Sequence, residues 1–131
     1  MKAPDQFLRA IGYPLDSVRE EGGGYVLQVD GAAVRVAAVR DRLVVSRSFG
    51  DPDDETLRSL AQYAAGRLLR EEAVLAWDPD RRELVLWQEI PDVPDEGLVR
   101  RAFELFCTSC EWWAERCVEP RVDVPEMMIR P

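Results

Sequence analysis

The sequence predicts an α+β fold in which three helices accompany an antiparallel sheet. Short stretches of alternating apolar and polar residues are joined by tight-turn sequences, as in an antiparallel meander. Longer stretches carry apolar residues at the three- and four-residue spacing of amphipathic helices. The predicted order is helix, three strands, helix, two strands, helix, and such a sheet needs helices to cover one face.

The first predicted helix and the connection behind it are both short. Pro4 and Asp5 favour a helix start, so we predict a helix over residues 6–11 that ends at Gly12. Residues 17–24 are charged and then glycine-rich, and they predict a mobile connection.

Turn residues divide the strands from one another. Asp30-Gly31 is a two-residue hairpin sequence, and the five residues from Asp78 to Arg82 predict a second hairpin. The predicted strands are residues 25–29, 32–39, 43–49, 73–77 and 83–90.

Two longer helices are predicted over residues 55–70 and 96–117, each preceded by acidic residues that favour a helix N-terminus. The apolar residues on one face of the last helix are Val99, Phe103, Phe106, Cys110 and Trp113. Residues 119–131 contain three prolines and predict an extended tail, so the single predicted domain covers residues 1–118.

Composition narrows the classes of function. A chain of 131 residues fits one domain, and its formal charge of −8 disfavours nucleic acid or an anionic membrane as a partner. Histidine is absent, which excludes Ser-His-Asp triads and histidine-ligated metals. The first ten residues lack the apolar core of a secretory signal, and no stretch is long and apolar enough for membrane insertion. We therefore expect a cytoplasmic protein.

Three clustered cysteines are the strongest candidates for chemistry. Cys107 and Cys110 form a CxxC motif, and Cys117 follows. The motif lies within a helical pattern instead of at a strand–helix junction, and zinc would need a fourth ligand. We therefore interpret the thiols as core residues and predict no metal and no cofactor. A small enzyme that uses paired carboxylates stays open as an alternative, because the sequence does not show which acids meet in the fold.

The middle helix has more apolar surface than packing on one sheet requires. Several of its apolar residues are small, so another backbone could approach closely, and a two-fold dimer is the commonest oligomer. The alternative is a well-buried helix in a monomer. The residues assigned to a dimer interface are Leu57, Leu60, Ala61, Ala64 and Leu68.

A second apolar group lies near the N-terminus. Phe7, Leu8 and Ile11 share one side of a short helix, and Val34 and Val36 belong to an apolar strand. A shallow apolar surface beside a sheet edge suits an extended peptide or a short amphipathic segment. The alternative, that these residues complete the core, stays open.

Six segments carry the order of elements: PDQFLRAIGYP, YVLQVDGAAVRVAAV, LVVSRSF, ETLRSLAQYAAGRLL, VLAWDPDRRELVLWQEI and LVRRAFELFCTSCEWWAERC. In an acidic chain of this size they resemble a class I chaperone of bacterial type III secretion, of the Tir chaperone (CesT-like) family. The resemblance covers residues from about 5 to 118, and it rests on element order, acidity and the placement of apolar residues.

The resemblance implies a cytoplasmic homodimer that performs no chemistry. It would hold the N-terminal segment of a secreted effector, without tertiary fold and fit for secretion. Phe7, Leu8, Ile11, Val34 and Val36 would then contact the client, and the middle-helix residues would form the dimer interface. A regulator that couples secretion to gene expression is one alternative, and an adaptor unrelated to secretion is another.

Overall fold

A computed structural model describes residues 4–14, 16, 18–67 and 72–118 of the chain. The sheet has six antiparallel strands in the order β1-β2-β3-β4-β6-β5, so β1 and β5 form its two edges. The elements are α1 (Pro4–Ile11), β1 (Arg19–Glu21), β2 (Gly24–Val29), β3 (Ala32–Val39), β4 (Arg42–Ser48), α2 (Asp54–Arg67), β5 (Val74–Asp78), β6 (Glu83–Ile90) and α3 (Glu96–Val118). The α+β class predicted from the sequence is confirmed.

One strand was not predicted. β1 lies inside the segment expected to be a mobile connection, so four strands and not three precede α2. Gly22 and Gly23 adopt φ values of 56° and 82°, which L side chains rarely accept, and they turn β1 back onto β2. All three residues of β1 are exposed, so no apolar alternation marks the strand in the sequence.

The core lies between the sheet and the helices. Along β6 the buried residues are Leu84, Leu86, Gln88 and Ile90, which alternate with residues that point to the other face. The Phe7 ring of α1 meets the Phe103 ring of α3 edge-on, with 5.4 Å between centroids. All five residues predicted on the inner face of α3 are buried. A fully buried side chain of this size contributes roughly 1.5–3 kcal/mol, so this layer dominates the stability of the fold.

Carboxylates cap the two longer helices. The Asp53 Oδ1 atom accepts a hydrogen bond of 2.8 Å from the Thr56 backbone N–H at the start of α2. Asp95 does the same for Gly97 at the start of α3, also at 2.8 Å. The predicted end of the middle helix at residue 70 and the tail over 119–131 lie outside the described residues. None of the helices in the described ranges combines the length and apolarity that a membrane span requires.

Candidate functional site

One face of the sheet is left open, because α1, α2 and α3 all pack on the other face of the described structure. We call it the open sheet face. Its row of neighbours runs from Arg35 through Ser46 and Trp87 to Val74, crossing β3, β4, β6 and β5. Trp87 remains 37% exposed, which leaves a large apolar ring at the surface.

A shallow trough of about 460 Å³ crosses the open sheet face. Val26, Ala33 and Val85 supply its apolar surface, and Ser46 and Ser48 add hydroxyl groups. Three arginines and three carboxylates also line it, so the trough is formally neutral on a chain of charge −8. These six charged residues are Arg19, Arg35, Arg81, Glu21, Asp78 and Glu83. A bound segment would therefore meet little net repulsion there.

A second surface is the α2–β5 groove, of about 390 Å³, between α2 and the edge strand. Every described residue that lines it is apolar. These residues are Leu57, Leu60, Ala61, Ala64 and Ala65 of α2, Leu75, Ala76 and Trp77 of β5, and Leu84 of β6. β5 has a neighbour on one side only, so its other backbone edge is available for pairing.

The predicted dimer-interface residues come together in this groove. Leu57, Leu60, Ala61 and Ala64 line it, whereas Leu68 lies outside the described residues. Leu60 is only 1% exposed and forms the floor, while Ala61 is exposed at the rim. Leu60 is therefore a core residue of the protomer itself, and a charge there would disturb folding as well as any interface.

Four of the five predicted client-binding residues are buried inside the protomer. Phe7, Leu8, Val34 and Val36 are between 0 and 2% exposed, because α1 packs flat on the sheet. They have no surface with which to contact a client in this structure. Ile11 is partly exposed and stays a prediction.

Polar contacts between described residues help to hold α1 in this position. The Tyr25 hydroxyl donates to the Asp5 carboxylate at 2.6 Å, and the Arg100 Nε–H donates to the Ala10 carbonyl at 3.2 Å. The helical periodicity of α1 shows which side is apolar, but it does not show that this side faces the chain's own sheet.

Sequence reasoning missed the contribution of β5 to the groove. Leu75 and Trp77 alternate along the predicted strand, which was the available signal. Alternation shows which face a side chain joins, but not that its strand is an edge next to α2. Trp87 was missed for the same reason, since alternation does not show which face of a sheet stays uncovered.

The cysteines are poorly suited to nucleophilic chemistry. Burial raises the pKa of Cys107 to about 11 and that of Cys110 to about 12, and it also raises the pKa of Cys117. The Arg47 guanidinium opposes this shift at all three thiols but does not overcome it. All three are free thiols, and no group of three or more metal-binding side chains occurs within the described ranges. At neutral pH the thiols therefore stay protonated.

The model of the Tir chaperone protein (CesT) family matches residues 5–110 of this chain. The chain belongs to this family, which confirms the resemblance seen in the sequence. No curated protein sequence matches the chain.

The solved structures that share the fold include three complexes. A chain of the HopA1–SchA chaperone–effector complex is 20% identical with a TM-score of 0.65, covering 85% of this chain and 89% of that one. A chain of the ExsC–ExsE complex is 18% identical with a TM-score of 0.62, covering 88% and 96%. A chain of the ExoT–SpcS complex from Pseudomonas aeruginosa is 20% identical with a TM-score of 0.57, covering 82% and 90%. At these identities the likeness is one of fold.

Proposed function

We propose that this protein is a cytoplasmic chaperone of bacterial type III secretion. It binds the N-terminal region of a secreted effector and keeps that region without tertiary fold until secretion. The observation that carries the proposal is the family match over residues 5–110. The fold shared with a chain of a chaperone–effector complex supports the same role.

The open sheet face is the surface on which the client segment lies. A disordered segment loses roughly 1–2 kcal/mol of backbone entropy per residue when it is ordered, so its binding site must offer several anchors. Trp87 is the largest exposed anchor on this face, and the neutral trough beside it supplies both hydrogen-bond donors and acceptors. Six strands span about 24 Å, which about seven extended residues would cross.

Such a surface selects an unfolded client over a folded one. The trough is shallow and follows the sheet, so a single extended or helical segment can lie along it, whereas a globular domain would touch it at few points. Binding would therefore cover apolar residues of the client without allowing a tertiary core to form around them.

The α2–β5 groove is the surface to which a second copy of the chain binds. Its alanines permit close approach of another backbone, and its apolar lining places no like charges against each other when two acidic protomers meet. Among the predicted interface residues that are described, Leu57, Ala61 and Ala64 would face the partner, and Leu60 lies beneath them. A homodimer would present two open sheet faces to one client, and this would double the surface available.

The proposed role involves no catalysis. The raised pKa values of Cys107 and Cys110 keep these thiols in the protonated, weakly nucleophilic form. The two described surfaces are a shallow trough and an apolar groove, and both are better suited to binding a polypeptide than to enclosing a small substrate.

Co-expression with the first hundred or so residues of effectors from the source bacterium tests the proposal. We expect one such region to co-purify and to remain sensitive to protease away from the contact, as a segment without tertiary fold should. Trp87→Glu should abolish co-purification, because it replaces the apolar anchor with a charged side chain. Leu105→Glu is the matched control, since Leu105 is 49% exposed on α3, on the other side of the molecule.

Two outcomes would contradict the proposal. One is a bound client region with the protease resistance of a folded domain. The other is an equal loss of binding in Trp87→Glu and Leu105→Glu, which would move the client away from the open sheet face.

A further inference from the structure

The second half of α2 is held to the protomer by a cluster of rings and guanidinium groups. We call this cluster the Trp112 stack; it consists of Tyr63, Arg67, Trp112 and Arg116. The Tyr63 ring meets the Trp112 ring edge-on, with 5.5 Å between centroids. The guanidinium carbons of Arg67 and Arg116 lie 3.8 and 3.9 Å from the centroid of the Trp112 ring.

The stack is anchored in the core through α3. The centroids of the Trp112 and Trp113 rings lie 4.9 Å apart, and Trp113 is only 2% exposed. The Arg116 Nη1–H group donates to the Trp112 carbonyl at 3.3 Å and to the Glu115 carboxylate at 3.1 Å, which holds its guanidinium in place. Trp112 is therefore a fixed platform on which two side chains of α2 rest.

Within the described residues, the second half of α2 has no fully buried side chain. The residues of α2 that are buried in the described protomer are Thr56 and Leu60, and both belong to its first half. After Leu60, contact with the core passes to partly exposed side chains, with Tyr63 itself 45% exposed. The stack therefore adds to the Ala64 core contact in fixing the rotation of the helix about its axis.

The stack contacts α2 on a different side from the exposed alanines of the groove. Tyr63 and Arg67 are four residues apart and share one face of the helix, and Ala61 and Ala65 are also four apart and share another. The two pairs are offset by two residues, or about 200° around the helix, so they lie on nearly opposite sides. A rotation that released Tyr63 would therefore move both alanines of the α2–β5 groove.

We propose that the Trp112 stack is a positioning element that fixes the rotation of α2 and so shapes the α2–β5 groove for a second copy of this chain. The inference rests on the proposed function of that groove as the binding site for the partner copy. In this role Trp112 acts through its contacts with Tyr63 and Arg67. A cation–π contact that is partly shielded from water is strong enough to hold a helix in one of several orientations.

Dimer affinity tests the inference directly. By sedimentation, Trp112→Leu should raise the dimer Kd about tenfold, since it removes the ring that Tyr63 and two guanidinium groups contact. Trp112→Phe keeps an aromatic face and should recover most of the affinity. Leu105→Ala is the matched control on the same flank of α3, two turns earlier, and should leave the Kd unchanged.

Hydrogen exchange in an Ala61→Glu background, which should keep the protein monomeric, separates positioning from a general loss of stability. In Trp112→Leu, the backbone amides of residues 61–67 should exchange faster, while those of α3 around Phe106 keep their protection. Faster exchange throughout the chain would overturn the inference, because Trp112 would then support the whole core. A dimeric Trp112→Leu protein with the wild-type Kd would also overturn it and leave the proposed groove intact.

A wild-type protein that stayed monomeric would instead overturn the proposed seat of the second copy. The exchange measurement is made on monomers, so it would still decide whether Trp112 positions α2.

Discussion

The two shorter helices of this protein are both amphipathic, yet they use their apolar sides differently. α1 has eight residues and buries Phe7, Leu8 and Ala10 against the sheet and α3. α2 has fourteen residues, of which Thr56 and Leu60 are buried, and the rest of its apolar side opens into a groove. The first helix completes the core of its own chain, while the second leaves apolar surface uncovered in the protomer.

The comparison shows what amphipathicity can and cannot establish. A periodic apolar side must be covered by something, but its periodicity is the same whether the cover is the chain's own sheet or a second molecule. Size is the better guide here. α1 presents large side chains that fill a core, whereas the groove side of α2 presents alanines that admit a neighbouring backbone.

Truncation of Phe7 should have the largest effect on the α1 side of the comparison. Phe7→Ala should lower the free energy of unfolding by about 3–5 kcal/mol, because it removes a fully buried ring. Urea denaturation measures the loss, and Arg9→Ala, at an exposed position of the same helix, should change it by less than about 0.5 kcal/mol. A Phe7→Ala protein that was stable but failed to bind its client would show that Phe7 belongs to the client-binding surface.

On the α2 side, a charge at the groove rim should separate the protomers without unfolding them. Ala61→Glu places an unpaired carboxylate in the apolar interface, so light scattering should show a monomer at micromolar concentration. Gln62→Glu, on the exposed side of the same helix, should remain dimeric. Leu60→Glu should instead lose folding stability, because Leu60 is buried within the protomer. A dimeric Ala61→Glu protein would show that the second copy sits elsewhere.

Substitution of Trp87 on the open sheet face should have an effect of intermediate size. Trp87→Ala should weaken client binding by about 2 kcal/mol, the scale of a central aromatic anchor, with little change in unfolding free energy because the ring is already partly exposed. Isothermal titration with a client peptide measures the affinity. If Leu105→Ala weakened binding as much, the client would lie on the helical side of the molecule.

The smallest effect concerns the thiols of α3. With a pKa near 11 instead of the ordinary 9, Cys107 should show about 100-fold less thiolate at pH 8, so its alkylation by iodoacetamide, followed by mass spectrometry, should be correspondingly slow. The rate should rise with pH toward 11. Rapid alkylation of Cys107 at pH 7 would contradict the burial of this thiol.

The same shift predicts the sign of a pH effect on stability. The folded state holds the Cys107 and Cys110 protons more tightly than the unfolded state does. The stability that these protonated thiols contribute is therefore fully present below pH 9 and declines as the pH rises toward their folded pKa values. Urea unfolding at pH 8 and pH 10 measures the decline, and Cys110→Ala should reduce the difference between the two.

Much of the fold could be predicted because its signals are local. The Asp30-Gly31 turn is present with φ values of 50° and 80°, and the inner face of α3 is buried as its spacing predicts. β1 escaped prediction because its three exposed residues carry no apolar pattern. A strand of this kind exists only through its pairing with β2, which depends on the Gly22-Gly23 turn.

The surfaces were harder to predict because they depend on what the fold leaves uncovered. The α2 residues of the groove could be found from their helical spacing and from the small alanines among them, but Leu75 and Trp77 join them only through the position of β5 at the sheet edge. Trp87 is exposed because no described helix crosses its face of the sheet. The local sequence does not show which face of the sheet stays uncovered.

Native mass spectrometry of the protein with its client segment tests the central claim most directly. The account predicts a complex of two copies of this chain and one effector N-terminal segment, which Ala61→Glu would reduce to a single copy. A complex containing one copy of the wild-type chain, or a wild-type protein that retains no effector segment at all, would contradict it.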